Sequence, residues 1–116
     1  MKVVHYSELE TKPYENATAH NAIGRLLIGR ADGAGNFAMR LFELARDGST
    51  MHHEHPYEHE IFVHAGKGQV LRDGAWVDVK AGDAVFIPGG EVHQLRNAGD
   101  EPFLFVCAVP KEAPEL

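Results

Sequence analysis

The stretch GDAVFIPGGEVHQLRN, residues 82–97, carries turn and strand signals in such close succession that its reading decides the fold. Gly82 closes one turn, AVFI (84–87) has the composition of a buried strand, Pro88-Gly89-Gly90 turns the chain, and Glu91 to Asn97 reads as the next strand. The same grammar extends outward. Asp32-Gly33, Asp47-Gly48, Asp73-Gly74 and Gly99-Asp100 mark further turns, and between them lie strand-sized runs: RLLIG (25–29), FAMRLFELA (37–45), EIFVHA (60–65), QVLRD (69–73), AWVDV (75–79) and FLFVCAV (103–109). QVLRD-G-AWVDV reads as a hairpin, because Asp-Gly tolerates the positive φ angles of a two-residue turn. No helix-sized amphipathic window appears from residue 46 onward. Glycines 66, 68, 82, 89 and 90 read as backbone turns rather than a phosphate cradle, since no helix follows them. Many short strands in a chain of this size must pack as two sheets or close on themselves, so an all-β sandwich or barrel is expected.

At 116 residues one domain is expected. Residues 1–22 have weak periodicity and are assigned to a loop or to an N-terminal strand exchanged with a partner subunit; residues 23–116 form the barrel. The formal charge of −6 with scattered Lys and Arg gives no basic footprint and excludes a nucleic-acid partner. The single Cys107 rules out an internal disulfide. The longest apolar run, 103–109, is far too short for a membrane span, and MKVVHYSELE has no secretory core, so a cytoplasmic protein is expected.

The chemistry concentrates in HHEHPYEHE, residues 52–60. On a strand, His53 and His55 share a face while His52 and Glu54 take the other. Pro56 breaks that strand, Tyr57 and Glu58 complete a short connection, and a returning strand sets His59 beside the pair. His93, in the opening stretch, is the fourth candidate. Neutral imidazole is a common ligand for divalent Zn, Cu, Fe, Ni and Mn. His52 and His64 fall on the opposite strand phase and read as surface histidines.

The chain resembles the cupins, which carry two motifs. The second, Gly-x5-Pro-x-Gly-x2-His-x3-Asn, is complete in Gly82, Pro88, Gly90, His93 and Asn97, a match expected by chance about once in a million starts. The first, Gly-x5-His-x-His-x(3 or 4)-Glu-x6-Gly, is met with two departures. Gly48 lies one residue closer to His53, and the glutamate position falls on His59 when counted from either side, whereas Glu60 fits only the longer first spacing. The chain is also similar, from about Arg40 to Glu112, to a cupin subgroup with a four-histidine centre known for manganese. That resemblance implies a double-stranded β-helix (jelly roll) and a divalent ion held by His53, His55, His59 and His93. Mn2+ comes first by resemblance, with Fe2+, Ni2+, Cu2+ or Zn2+ open to the same ligands. It also implies cavity positions for Phe105 and Cys107, and a homodimer.

Two further side chains are cavity candidates from their own chemistry. Arg40 would hold a substrate carboxylate by its two-pronged fork, and Tyr57 would reach the cavity mouth. Four neutral imidazoles leave a +2 ion uncompensated, which favours an anionic small-molecule substrate. The expected function is a metal-dependent oxygenase or related oxidoreductase, possible as a dioxygenase, on a small oxygen-rich molecule. The alternative is a non-catalytic module that binds a metal or a small molecule.

Overall fold

The computed structural model describes residues 1–116. Nine strands carry the fold: β1 (Lys12–Tyr14), β2 (His20–Ile28), β3 (Phe37–Ser49), β4 (His59–Ala65), β5 (Lys67–Arg72), β6 (Ala75–Lys80), β7 (Ala84–Ile87), β8 (Leu95–Asn97) and β9 (Phe103–Pro110). The only helical pieces are two single 3-10 turns, Tyr6–Glu8 and Arg30–Asp32. No helix is long and apolar enough to cross a membrane.

All ladders are antiparallel, in the order β6-β5-β8-β3-β9-β4-β7, with β2 added to β3 and β1 to β2. The long β3 makes the sheet curl. Its first part pairs with β2 and β9, Phe42 lying opposite Phe105, and its far end pairs with β8 through Ser49 and Arg96. Between these parts Asp47 adopts a φ of 63°, a conformation that bends the strand from one layer into the other. The chain therefore forms a curled jelly-roll barrel in a single domain, as the sequence implied.

Side chains alternate about this curl. Leu44, Ile61, Val63, Phe103, Phe105 and Cys107 point inward and form the main core with Ala22, Val70, Ile87 and Leu95. The Asp73-Gly74 hairpin forms as expected, with φ of 51° and 76° and Arg72 paired to Ala75. Asn97, last in the second motif, is an internal tie. Its amide donates to the Leu44 and Glu101 carbonyls at 2.9 and 2.8 Å and accepts from the Gly99 N–H at 2.8 Å.

Three local expectations change. The AVFI run is an edge strand, because β7 pairs only with β4, and its Phe86 is 60% exposed. Its apolar composition signalled strand but not two-sided burial. Gly68 lies within β5 rather than in a turn, and the Phe103 ring occupies the space a Cβ would need. Only Gly66, Gly82 and Gly90 of the five turn glycines have positive φ. The N-terminal stretch is not simply loop: β1 pairs with β2 of its own chain, Tyr14 opposite Ala22, and β2 begins at His20.

Gly68→Ala is expected to destabilise the protein by about 1–3 kcal/mol in a denaturant titration, since the added methyl collides with a fully buried ring. Phe103→Leu in the same chain is expected to return part of that loss. An unchanged midpoint for Gly68→Ala would contradict the packing.

Candidate metal centre

The histidine hairpin is held to the second motif by backbone bonds. His53 N–H donates to the His93 carbonyl at 3.2 Å, and His93 N–H donates back to the His53 carbonyl at 2.9 Å, making an isolated antiparallel bridge. Gly90 N–H donates to the His55 carbonyl at 2.7 Å. Gly89 permits this approach, because a Cβ there would strike the Pro56 carbonyl. Residues 50–58 thus form no continuous strand, contrary to the sequence reading. The alternation survives without one: His53 and His55 are half-buried, while His52 and Glu54 are exposed. The return strand β4 pairs with β7 and β9, so His59 reaches the other rings from the barrel wall.

His53, His55, His59 and His93 each offer a ring nitrogen, and these nitrogens lie within 4.8 Å of one another. That span is comparable to twice a metal–imidazole bond of about 2.1 Å. The rings meet edge to face, with the His53 and His93 centroids 4.7 Å apart and those of His55 and His59 4.6 Å apart. Glu60, the alternative to His59, is exposed. Its carboxyl is raised above the usual range by a hydrogen bond with Glu58, with burial adding to the effect. His52 and His64 are exposed, as expected, and His64 lies edge-on to Tyr6.

Contacts on the far side of three of the rings show what the near side presents. His55 Nδ1 lies 2.7 Å from the Tyr57 carbonyl, and His93 Nδ1 lies 2.8 Å from the Glu91 carbonyl. A carbonyl only accepts, so both Nδ1 atoms carry the proton and both Nε2 atoms present a lone pair. His93 Nε2 is buried with no protein partner. His59 Nδ1 contacts Cys107 Sγ at 3.3 Å, and its Nε2 lies 2.9 Å from His55 Nε2. Two lone pairs at that distance repel unless a proton or a cation lies between them. Burial, followed by the neighbouring imidazoles, holds His53 down to about 4; burial and then the Arg40 charge hold His59 down to about 3; burial also lowers His55. A neutral, lone-pair-inward set is what a divalent cation requires of imidazole, so these residues fit such an ion.

The rings open into a cavity of about 320 Å³ that contains all four cavity candidates: Arg40, Tyr57, Phe105 and Cys107. Tyr57 stacks on His55, centroids 3.8 Å apart at 12°, and so covers a histidine face at the mouth. Phe105 is buried in the wall and stacks with Phe42 at 5.6 Å. Arg40 turns inward and is 8% exposed. Its Nη2 donates to Cys107 Sγ at 3.1 Å and its Nε to the Cys107 carbonyl at 3.3 Å. Burial raises the Cys107 thiol, and the Arg40 charge opposes that rise. Sequence reasoning missed Tyr14, which lines the same cavity from β1. Its segment reads in sequence as a loop or an exchanged N-terminal strand, and only the pairing of β1 with β2 shows where the ring goes.

The Cupin domain family matches residues 40–109. The chain is a cupin. The polyketide cyclase RemF from Streptomyces resistomycificus is 34% identical, with a TM-score of 0.90 over 98% of this chain and 82% of that one. Glucose-6-phosphate isomerase from Pyrococcus furiosus is 36% identical over 60 residues, 47% of this cupin and 32% of the relative. An oxalate-binding protein from Thermotoga maritima is 34% identical over 58 residues, 49% of this cupin and 48% of the relative. The cupin therefore spans about a third to a half of the length of these two curated relatives. Its four-histidine cluster is of the kind able to hold a divalent metal.

A divalent ion at about 100 times its dissociation constant is expected to stabilise the cupin by about 2.7 kcal/mol, read as a rise in melting temperature. Chelator is expected to reverse the rise. His53→Ala combined with His93→Ala is expected to abolish it, and a rise that survived both substitutions would place the ion elsewhere.

Proposed function

We propose that this cupin is a metal-dependent enzyme acting on a small oxygen-rich anion, such as the enolate of a 1,3-dicarbonyl compound. His53, His55, His59 and His93 would hold the ion. The observation that carries this reading is the charge of the cavity. Its lining includes four histidines and Arg40, and none of its 18 lining residues is Asp or Glu. A divalent cation there meets no side-chain carboxylate, which favours an anionic substrate. Manganese or iron is the favoured ion, while the all-imidazole set also suits zinc, nickel and copper.

Bound ion would supply Lewis acidity and, with manganese or iron, a route to dioxygen. The chain's own residues do the rest. Phe42, Ile61, Leu95 and Phe105 give the cavity an apolar wall that excludes water and strengthens charge interactions inside. Cys107 and the two carbonyl contacts fix the far nitrogens of the rings, and Tyr57 covers His55. No Asp, Glu or Lys lies in the lining to serve as a proton shuttle, which argues against hydrolysis. The likeness to a polyketide cyclase over most of its length supports a carbon-rich substrate bearing several oxygens. An oxygenase is the reaction class favoured by the sequence reading.

A non-catalytic binding module is the second reading, favoured by that same lack of an acid–base partner and by the oxalate-binding relative. We further propose a homodimer, supported by an outward apolar patch of Phe62, Phe86, Val106 and Ala108 on neighbouring strands, and a cytoplasmic location, supported by the single free Cys107.

The test is incubation of metal-reconstituted protein with 1,3-diketones, catechols and hydroxy acids, with and without oxygen. Oxygen uptake matched by substrate loss is the expected result for an oxygenase. Product formed equally without oxygen would replace it with Lewis-acid chemistry, and micromolar binding without turnover would favour the module. Failure of every compound to bind would overturn the substrate class.

A further inference from the structure

Two polar groups in the cavity have no counterpart in the protein. Tyr14 Oη is buried and makes no hydrogen bond. Arg40 commits Nε and Nη2 to Cys107, leaving the other N–H groups of its fork without a protein partner, and it forms no ion pair with any carboxylate. One ring links these groups. Both flank the Phe42 ring, with the Tyr14 centroid 5.7 Å from it and the Arg40 guanidinium carbon 5.0 Å from it. The Arg40 charge also acts on the Tyr14 phenol, partly opposing the upward push of burial.

The placement of Tyr14 is enforced by its surroundings. A Cβ at Gly24 would come within 2.9 Å of the Tyr14 ring, 3.1 Å of Phe42 and 3.2 Å of Leu116. The bare backbone of Gly24 is what lets these side chains close over the cavity. Tyr14 and Arg40 both line the cavity, so a hydroxyl without a partner and a guanidinium without a countercharge offer its occupant two kinds of donor. A carboxylate matches that pair, accepting from the fork and from the phenol together.

We infer that Tyr14 and Arg40 form a second anchoring point in the cavity, which takes a carboxylate of the same ligand whose other oxygens face the four histidines. This inference rests on the substrate reading above and narrows it to chelating molecules that also carry a carboxylate. Tyr14 and Arg40 act as specificity-determining residues, since a ligand without the second anion leaves both groups unpaired.

The test uses the full chain loaded with its divalent metal and titrated calorimetrically with benzoylacetone and its three ring-carboxylated isomers. At least one isomer is expected to bind about tenfold or more tightly than benzoylacetone. Tyr14→Phe is expected to cut that ratio by about fivefold, and Arg40→Met to bring it near unity. The melting temperature of ligand-free Tyr14→Phe is expected to be unchanged or raised, because the hydroxyl it removes has no partner. If Arg40→Met does not fold, Tyr14→Phe decides the matter. A wild-type ratio near one for all isomers, a ratio unchanged by Tyr14→Phe, or a lowered melting temperature in that variant would overturn the anchor. If benzoylacetone fails to bind while an isomer binds in a Tyr14-dependent way, the anchor stands and the chelation reading falls. Binding of none of the four overturns both.

Discussion

Everything at the histidine centre depends on the pair of backbone hydrogen bonds that join His53 to His93. These residues are 40 positions apart in sequence, and one lies in a segment that forms no regular strand. Without that bridge His53 and His55 would sit on a solvated loop, free to turn apart. With it, and with the Gly90 bond to the His55 carbonyl, two segments are locked face to face and their alternate side chains must share one space. His59 is fixed independently by β4, which pairs on both sides with β7 and β9. The centre is thus assembled from a stiff wall and a pinned loop, so little ordering remains for a ligand to impose.

That assembly is unfavourable on its own terms. It buries the unpartnered Nε2 of His93 and sets the Nε2 atoms of His55 and His59 at 2.9 Å, a contact that needs a proton or a cation between them. Tyr14 Oη is also left unpaired, and an unmade hydrogen bond to a buried group costs about 1–3 kcal/mol. A barrel can carry such costs because half of its main core lies clear of the cavity: Leu44, Val63 and Phe103 are fully buried and line no part of it, and Asn97 ties the strands beside them. Stability and chemistry meet on one curled sheet, where Ile61, Leu95, Phe105 and Cys107 belong both to the core and to the cavity wall.

Local patterns were legible in the sequence. Strand-sized runs and Asp-Gly or Gly-rich turns marked eight of the nine strands, because two-residue turns and period-two burial are local. His93 and Asn97 stood in an unbroken motif, and the counts on both sides of His59 selected it over Glu60 by spacing alone. What stayed hidden depends on contacts between distant segments. Gly68 looks like a turn glycine until the Phe103 ring is placed on it. Phe86 looks buried until β7 is known to be an edge. Tyr14 lies in a stretch whose three-residue strand is too short to show a period, and its role follows only from pairing with β2.

The inward turn of Arg40 links these levels. On β3 it lies opposite Cys107, and the strand register gives both the same inward face as Ile61 on β4. An arginine on an inward position would ordinarily be replaced by an apolar residue or matched by a carboxylate, because burying an uncompensated charge is costly. Here neither has happened. Its bonds to the Cys107 sulfur and carbonyl hold the guanidinium still but do not neutralise it. Burial first, and the same field in addition, disfavours protonation of His53, His55 and His59, which keeps their lone pairs available. One unpaired cation therefore serves both halves of the cavity: it biases the imidazoles toward the form a metal needs, and it sets the sign of the molecule that the remaining space admits.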